Sequence, residues 1–192
     1  MTPFLEILFI LRMYTLPLQM VSYIKFFSKS KDERVRALSN FAELDVVLCD
    51  KHYKSGEHAF QCEKYLCAAG TASGEERKEK LINHVKKIEA CASALRAKQL
   101  GSKSKGMKMT ETECKEWNKS SIYVQFKICE SKLKRHECVR EILRENMDEP
   151  EPALFLHQEN RGKAPYWGGR IDKNTGELIG KNMLGKIWSE MK

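Results

Sequence analysis

The chain has 192 residues, of which 42% are hydrophobic and 31% charged, enough apolar content for one buried core and too much for wholesale disorder. A mean hydropathy of −0.53 excludes a polytopic membrane protein. With 34 Lys+Arg against 26 Asp+Glu, the net charge of +8 favours an anionic partner without naming one.

Residues 1–22 form an apolar extension expected to lie outside the fold. Its run Ile7–Leu11 is bracketed by Glu6 and Arg12 and is too short to span a bilayer. The working domain is expected over residues 23–192. Ile24-Lys25-Phe26-Phe27 reads as a strand, Lys29–Arg34 as a charged loop and Val46–Cys49 as a second strand. Glu57–Ala69 reads as a helix with Phe60, the Lys64 stem, Cys67 and Ala68 on its apolar positions and Gly70 as C-cap. Glu75–Leu100 is a second helical stretch with Leu81, Val85, Ile88, Ala92 and Leu95 on one face. Thr110 and Glu113 form a capping box that opens a long helical region to about Glu145, ended by the prolines of residues 148–152. Ala153–His157 is a buried strand, Gly162–Gly180 a loop, and Asn182–Met191 a last short helix. The sum is one α+β domain, mainly α-helical, with a small antiparallel sheet framing a pocket.

The seven cysteines are irregularly spaced and contain no CxxC pair, so reduced thiols in the cytoplasm or nucleus are expected, with no metal site. No glycine-rich dinucleotide loop is present, and no cofactor is expected. The charge is concentrated: residues 77–135 hold 16 Lys/Arg against 6 Glu. That stretch, densest over Arg96–Lys108, is the candidate for phosphate contact, although a charge run alone is ordinarily a solvated helix surface.

Several short strings occur in a specific order. They are Ile24-Lys25-Phe26-Phe27, Ser39-Asn40-Phe41, the helix start Glu57-His58-x-Phe60-Gln61-x-x-Lys64, Ala97-Lys98-x-x-Gly101, Trp117, Trp167-Gly168 and Gly180-x-Asn182-x-Leu184-Gly185. Together they resemble the NADAR (YbiA-like) family over about residues 23–192. The family often carries an acidic residue shortly before Trp-Gly and an Arg after the Lys-x-x-Gly glycine. Here those places hold Glu159–Pro165 and Ser102-Lys103.

The resemblance implies an N-glycoside hydrolase that removes ADP-ribose from guanine bases in DNA or RNA. Its alternatives are an N-glycosidase of riboflavin-pathway intermediates and a silent ADP-ribose-binding module. Cleavage at an anomeric carbon builds positive charge on the sugar, which a carboxylate stabilises, and Glu57 is the first candidate. The helix N-terminus favours its charged form, which suits a base or electrostatic stabiliser. A lysine could displace the leaving amine through a Schiff base. Lys25 is the candidate and Lys64, two turns from Glu57, the alternative. Trp117, Trp167, Phe27 and Phe41 are candidates for ring stacking, with core packing the ordinary role of any one of them. Trp167 stands out because Gly168 permits close approach. Asn182 is a candidate for a ribose hydroxyl or phosphate, or an N-cap, or both. Gln61 joins Glu57 on its helix, and His58 is expected to be structural. Ser39, Asn40, Lys98, Gly101 and Gly185 complete the substrate-binding set carried by the resemblance. A monomer with no membrane partner is expected.

Overall fold

Strand β1 (Tyr23–Phe26) pairs in parallel with β4 (Leu154–His157), joining the two ends of the domain, with Lys25 opposite Leu156 and Phe26 opposite His157. The computed structural model describes residues 22–102, 106–159 and 163–191. The proposed extension therefore lies, but for Ser22, outside the described residues.

Two more strand pairs are antiparallel hairpins: β2 (Val46–Leu48) with β3 (Lys51–Tyr53), and β5 (Arg170–Ile171) with β6 (Leu178–Ile179). The strands thus form three two-stranded pieces, and the pair beside the pocket is parallel rather than antiparallel. Parallel pairing follows because every helix but the last lies between β1 and β4, and a long crossover suits parallel strands.

The helices are α1 (Gly56–Gly70), α2 (Glu75–Ala90), α3 (Ala94–Gly101), α4 (Glu111–Arg135), α5 (Glu137–Asp148) and α6 (Met183–Glu190). A 3-10 turn spans Arg34–Leu38. The domain is mainly helical, as its periodicities predict. Ser55 caps α1, its hydroxyl accepting from His58 N–H at 3.3 Å. The helix runs through Gly70, and Thr71, not Gly70, holds the C-cap. Its buried apolar positions are Ala59, Cys62, Tyr65, Ala68 and Ala69; of the predicted stripe Ala68 is fully covered, whereas Phe60, Lys64 and Cys67 are half-buried.

The predicted helix over Glu75–Leu100 is two helices. Cys91 is extended, and the Ser93 hydroxyl caps α3 by accepting from Arg96 N–H, which competes with continued winding. Leu81, Val85 and Ile88 are buried as expected, whereas Leu95, beyond the break, is exposed. The Thr110–Glu113 capping box is reciprocal. The long helical region breaks at His136, whose Nε2 lies 2.7 Å from the Asp45 carbonyl.

Two apolar clusters result. One gathers Val46, Cys62, Tyr65, Leu81, Ile88 and Ile128 around α1 and α2. The other gathers Phe26, Leu38, Val139, Phe155, Leu184 and Trp188 around the β1–β4 pair and α6. Helix α4 serves both through the adjacent Ile128 and Cys129. No helix among the described residues is long and apolar enough to cross a membrane.

Candidate active site

Residues from both halves line one cavity of about 590 Å³, including Phe27, Ser39, Asn40, Phe41, Glu57, Gln61, Lys98 and Trp167. Such a volume suits one ligand of nucleotide-sugar class.

Glu57 lies in the first turn of α1 and is only 6% exposed. Its backbone N–H donates to the Asn40 carbonyl at 2.8 Å. Gly56 makes that approach possible, since a Cβ there would sit 2.8 Å from Asn40 Oδ1 and 3.2 Å from its Cα. Asn40 in turn exchanges two hydrogen bonds with Gln125 on α4, at 2.8 and 3.0 Å. The Ser-Asn-Phe segment is therefore pinned between two helices, and Asn40 is held as a wall of the cavity.

Gln61, one turn on, donates Nε2–H to Glu57 Oε1 at 2.8 Å. Burial raises the Glu57 carboxyl above its ordinary value, and Lys98, this hydrogen bond and Lys64 oppose the rise. Desolvation thus outweighs the opposing lysines and the Gln61 hydrogen bond. The shift runs opposite to the one expected from the helix N-terminus alone.

Two lysines share the cavity with Glu57, Lys29 from the charged loop after β1 and Lys98 on α3, and the Lys98 Nζ lies 5.1 Å from the Phe41 ring centre. Lys25 does not share it: its side chain is exposed beside the β5–β6 hairpin, on the opposite face of β1 from Phe26. A strand alternates faces, so a lysine one residue from a core aromatic points away from the core side. Lys64 is not among the cavity-lining residues and donates to the Gly101 carbonyl.

Trp167 lines the cavity, whereas Trp117 is buried behind it, and both pack edge-on against Phe60 at 5.3 and 4.9 Å. Trp117 is support and not a stacking platform. Gly101 abuts Gln61, where a Cβ would lie 1.8 Å from Oε1. Gly168 abuts Glu159, where it would lie 2.6 Å from that residue's own Cβ. Both glycines shape the wall from behind.

Asn182 and Gly185 are also structural. Asn182 neither caps α6 through its side chain nor lines the cavity. In left-handed geometry (φ 49°), it accepts from His157 N–H at 3.0 Å and donates to the Phe155 carbonyl at 2.8 Å. Gly185 lets α6 press on that same carbonyl. His58 is structural as expected, held between the Ser55 hydroxyl and the Cys91 carbonyl, and burial lowers its pKa.

Sequence reading missed Phe60, Gln125, His157, Glu159 and Leu184 as cavity residues. His157 stacks on Phe26 at 5.3 Å, and its Nδ1 faces the Trp167 carbonyl at 3.4 Å. Burial drives its pKa down to about 4, so the ring is neutral at pH 7. Glu159 adds a second carboxylate to the cavity. It lies eight residues before Trp167, and the signal for it was the expected acid near the Trp-Gly element. No cluster of metal-ligating side chains occurs among the described residues.

The basic stretch is largely matched with acids where it is described. Arg77 pairs with Glu113, Lys115 with Glu111, Lys119 with Glu116, Lys134 with Glu130 and Arg135 with Asp45. Lys103 and Lys105, in its densest part, lie outside the described residues.

The fold is YbiA-like. The chain superposes on the NMR structure of the E. coli protein YbiA with a TM-score of 0.58 and 25% sequence identity, over 90% of this chain and 84% of that one. No family model matches the chain, and no curated protein matches it.

Proposed function

We propose that the chain is an N-glycoside hydrolase that releases ADP-ribose from guanine bases in nucleic acid. One observation carries this reading: the buried carboxyl of Glu57 shares a nucleotide-sized cavity with the Lys98 amine and the Trp167 ring. A YbiA-like fold is compatible with N-glycosidase chemistry and supports the same class.

The leaving nitrogen departs from an anomeric carbon that gains positive charge. A carboxylate in a desolvated wall stabilises that charge strongly, and a carboxylic acid there can protonate the leaving base. Glu57 fits either state, with Glu159 as the second carboxylate of the cavity. In the covalent route, the ring-opened ribosylamine is an imine at C1. Lys98 Nζ adds to C1, a proton passes to the guanine nitrogen and the C1–guanine bond breaks. Water then hydrolyses the lysine imine, returning the free amine and ADP-ribose. Trp167 offers a stacking face for a base, an interaction worth roughly 1–3 kcal/mol.

The test is incubation with an oligonucleotide carrying ADP-ribosylated guanine, with free ADP-ribose as readout, followed by borohydride trapping. Turnover with an adduct on Lys98 is expected. No release from any modified guanine would overturn the reading. The ion pairing of the basic helices favours a second reading, a glycosidase of a small phosphorylated ribosylamine such as an early riboflavin intermediate. Turnover of that substrate alone would select it.

A further inference from the structure

Strand β1 runs straight into the cavity wall, since Phe27, Ser28 and Lys29, which follow it, all line the cavity. They form a tight turn closed by Ser30, whose N–H donates to the Phe27 carbonyl at 3.1 Å. The buried Ser30 hydroxyl doubles that closure, accepting from Phe27 N–H at 2.8 Å and donating to the Phe27 carbonyl at 3.0 Å. Arg36 fixes the Ser30 carbonyl in turn, its Nε–H donating at 2.7 Å. The turn is therefore held from behind, and its central residues, Ser28 and Lys29, are exposed at the cavity. A turn of this kind does not pair the N–H groups of its central residues. Among the described residues, the Ser28 and Lys29 N–H groups, the Ser28 hydroxyl and the Lys29 amine have no hydrogen-bond or ion-pair partner. The other charged groups of the cavity are engaged. Lys98 faces the Phe41 ring and acts on the Glu57 carboxyl, and Glu159 lies against Gly168. Lys29 is, among the described residues, the cavity cation left to meet charge on a ligand.

We infer that the Ser28-Lys29 turn is the phosphate subsite of the cavity and selects a phosphorylated ribosyl ligand over an unphosphorylated one. The inference rests on the function proposed above and deepens it by dividing the two cavity lysines: Lys29 holds the phosphate, and Lys98 stands at the carboxyl where the bond breaks. A phosphate carries several strong acceptor oxygens. Backbone N–H groups, a hydroxyl and an ammonium on consecutive residues of a braced turn match them, with the lysine acting as a point charge. The same chemistry is offered by the diphosphate of ADP-ribose and by the single phosphate of a small ribosylamine.

Calorimetric titration of the full chain with ADP-ribose, ribose 5-phosphate and adenosine reads the subsite without any turnover. Lys29→Met is expected to weaken ADP-ribose roughly 10- to 100-fold, as for loss of a hydrogen bond to a charged group. Lys29→Arg, which keeps the charge, should retain most of the affinity. Lys31→Met, in the same loop but outside the cavity lining, is the charge-matched control and should bind as the parent does. An equal loss for ribose 5-phosphate would place Lys29 on the phosphate nearest the ribose, and a loss for ADP-ribose alone would place it on the distal phosphate. Either result supports the subsite. Binding of ADP-ribose unaltered by Lys29→Met would overturn it, as would an equal loss in Lys31→Met or an equal loss for adenosine. So would no binding of either phosphorylated probe by the parent. With a substrate that is turned over, Lys29→Met should act on KM far more than on kcat, and a borohydride adduct on Lys29 in the parent would overturn the division of roles. If no substrate is turned over while Lys29→Met still loses ADP-ribose, the hydrolase reading falls and the phosphate subsite stands.

Discussion

Gln61 holds Glu57 from one helical turn away, its Nε2–H 2.8 Å from Glu57 Oε1. The other end of that amide, Oε1, is buried against Gly101 and has no hydrogen-bond partner among the described residues. The amide therefore spends its one bond on the carboxylate and favours its charged form. Gln61→Met keeps the volume and removes the donor, so the Glu57 pKa is expected to rise further. The acid limb of the pH–kcat/KM profile should move to higher pH, which a rate series between pH 4.5 and 8 checks. An unmoved limb would show that Gln61 does not act through Glu57.

Glu57→Gln separates chemistry from stability. Turnover is expected to fall by about two orders of magnitude or more, as for loss of a general acid–base group. Stability moves the other way. The folded carboxyl titrates above its ordinary value of 4.5, so its contribution is present at low pH and is lost as pH rises through the folded pKa. The amide has no such loss. Urea midpoints of the variant should match or exceed the parent at pH 7 and depend less on pH above about 5.

His157 gives a dependence of opposite sense. Its pKa falls to about 4 from an ordinary 6.5 because the ring is buried. The folded state keeps the neutral form, so stability is full above pH 6.5 and is lost as pH falls towards 4. A shift of this size corresponds to roughly 3 kcal/mol at its limit. His157→Phe preserves the stacking on Phe26 and cannot titrate. Its urea midpoint should fall less than the parent's between pH 6.5 and 4.5, and parallel curves would remove His157 as the cause.

Much of this site was legible before the structure because contiguous strings carry it. Ser39-Asn40-Phe41 and Glu57 with Gln61 are local motifs, and a helix start places its own polar residues on one face. What stayed hidden depends on pairings distant in sequence. His157 and Glu159 enter the cavity because β4 docks in parallel on β1, more than 120 residues away. Lys25 was misassigned for the same reason, since only the core side of β1 decides which face reaches the cavity. Asn182 and Gly185 matched a motif whose physical basis is docking of α6 on β4 and not substrate contact. The helix breaks at Cys91–Ser93 and His136 were missed because the apolar period continues across both, while Ser93 capping and the Asp45 contacts override it.

Lys132 is fully buried on α4 and donates to the carbonyls of Ala37 and Ser39, the latter at 2.9 Å, with its Nζ 5.8 Å from the Trp188 ring centre. It thus anchors the segment that leads into Asn40 and Phe41. Burial lowers its pKa to about 8, so the amine is mostly charged at pH 7. Lys132→Met fills the volume and strands two carbonyls, a loss of about 1–3 kcal/mol. The expected signature is a lower Tm together with a raised KM, because Phe41 and Asn40 lose their anchor. A lowered Tm with unchanged KM would confine Lys132 to the core.

Two glycines give the sharpest contrast in stability. At Gly185, a Cβ would lie 2.2 Å from the Phe155 carbonyl oxygen and 2.4 Å from Asn182 Oδ1, both fixed by the clamp that joins α6 to β4. Backbone has no rotamer with which to yield, so Gly185→Ala must shift the helix, at a cost of about 3 kcal/mol or more. At 2–4 °C per kcal/mol for a domain of this size, Tm should drop by about 10 °C. Gly70, in the last turn of α1, has nothing within 4 Å of such a Cβ. Gly70→Ala should raise stability by about 0.5–1 kcal/mol through the reduced freedom of the unfolded chain. Thermal unfolding of the two variants beside the parent decides the matter, and a Gly185→Ala protein as stable as Gly70→Ala would refute the proposed packing of α6 on β4.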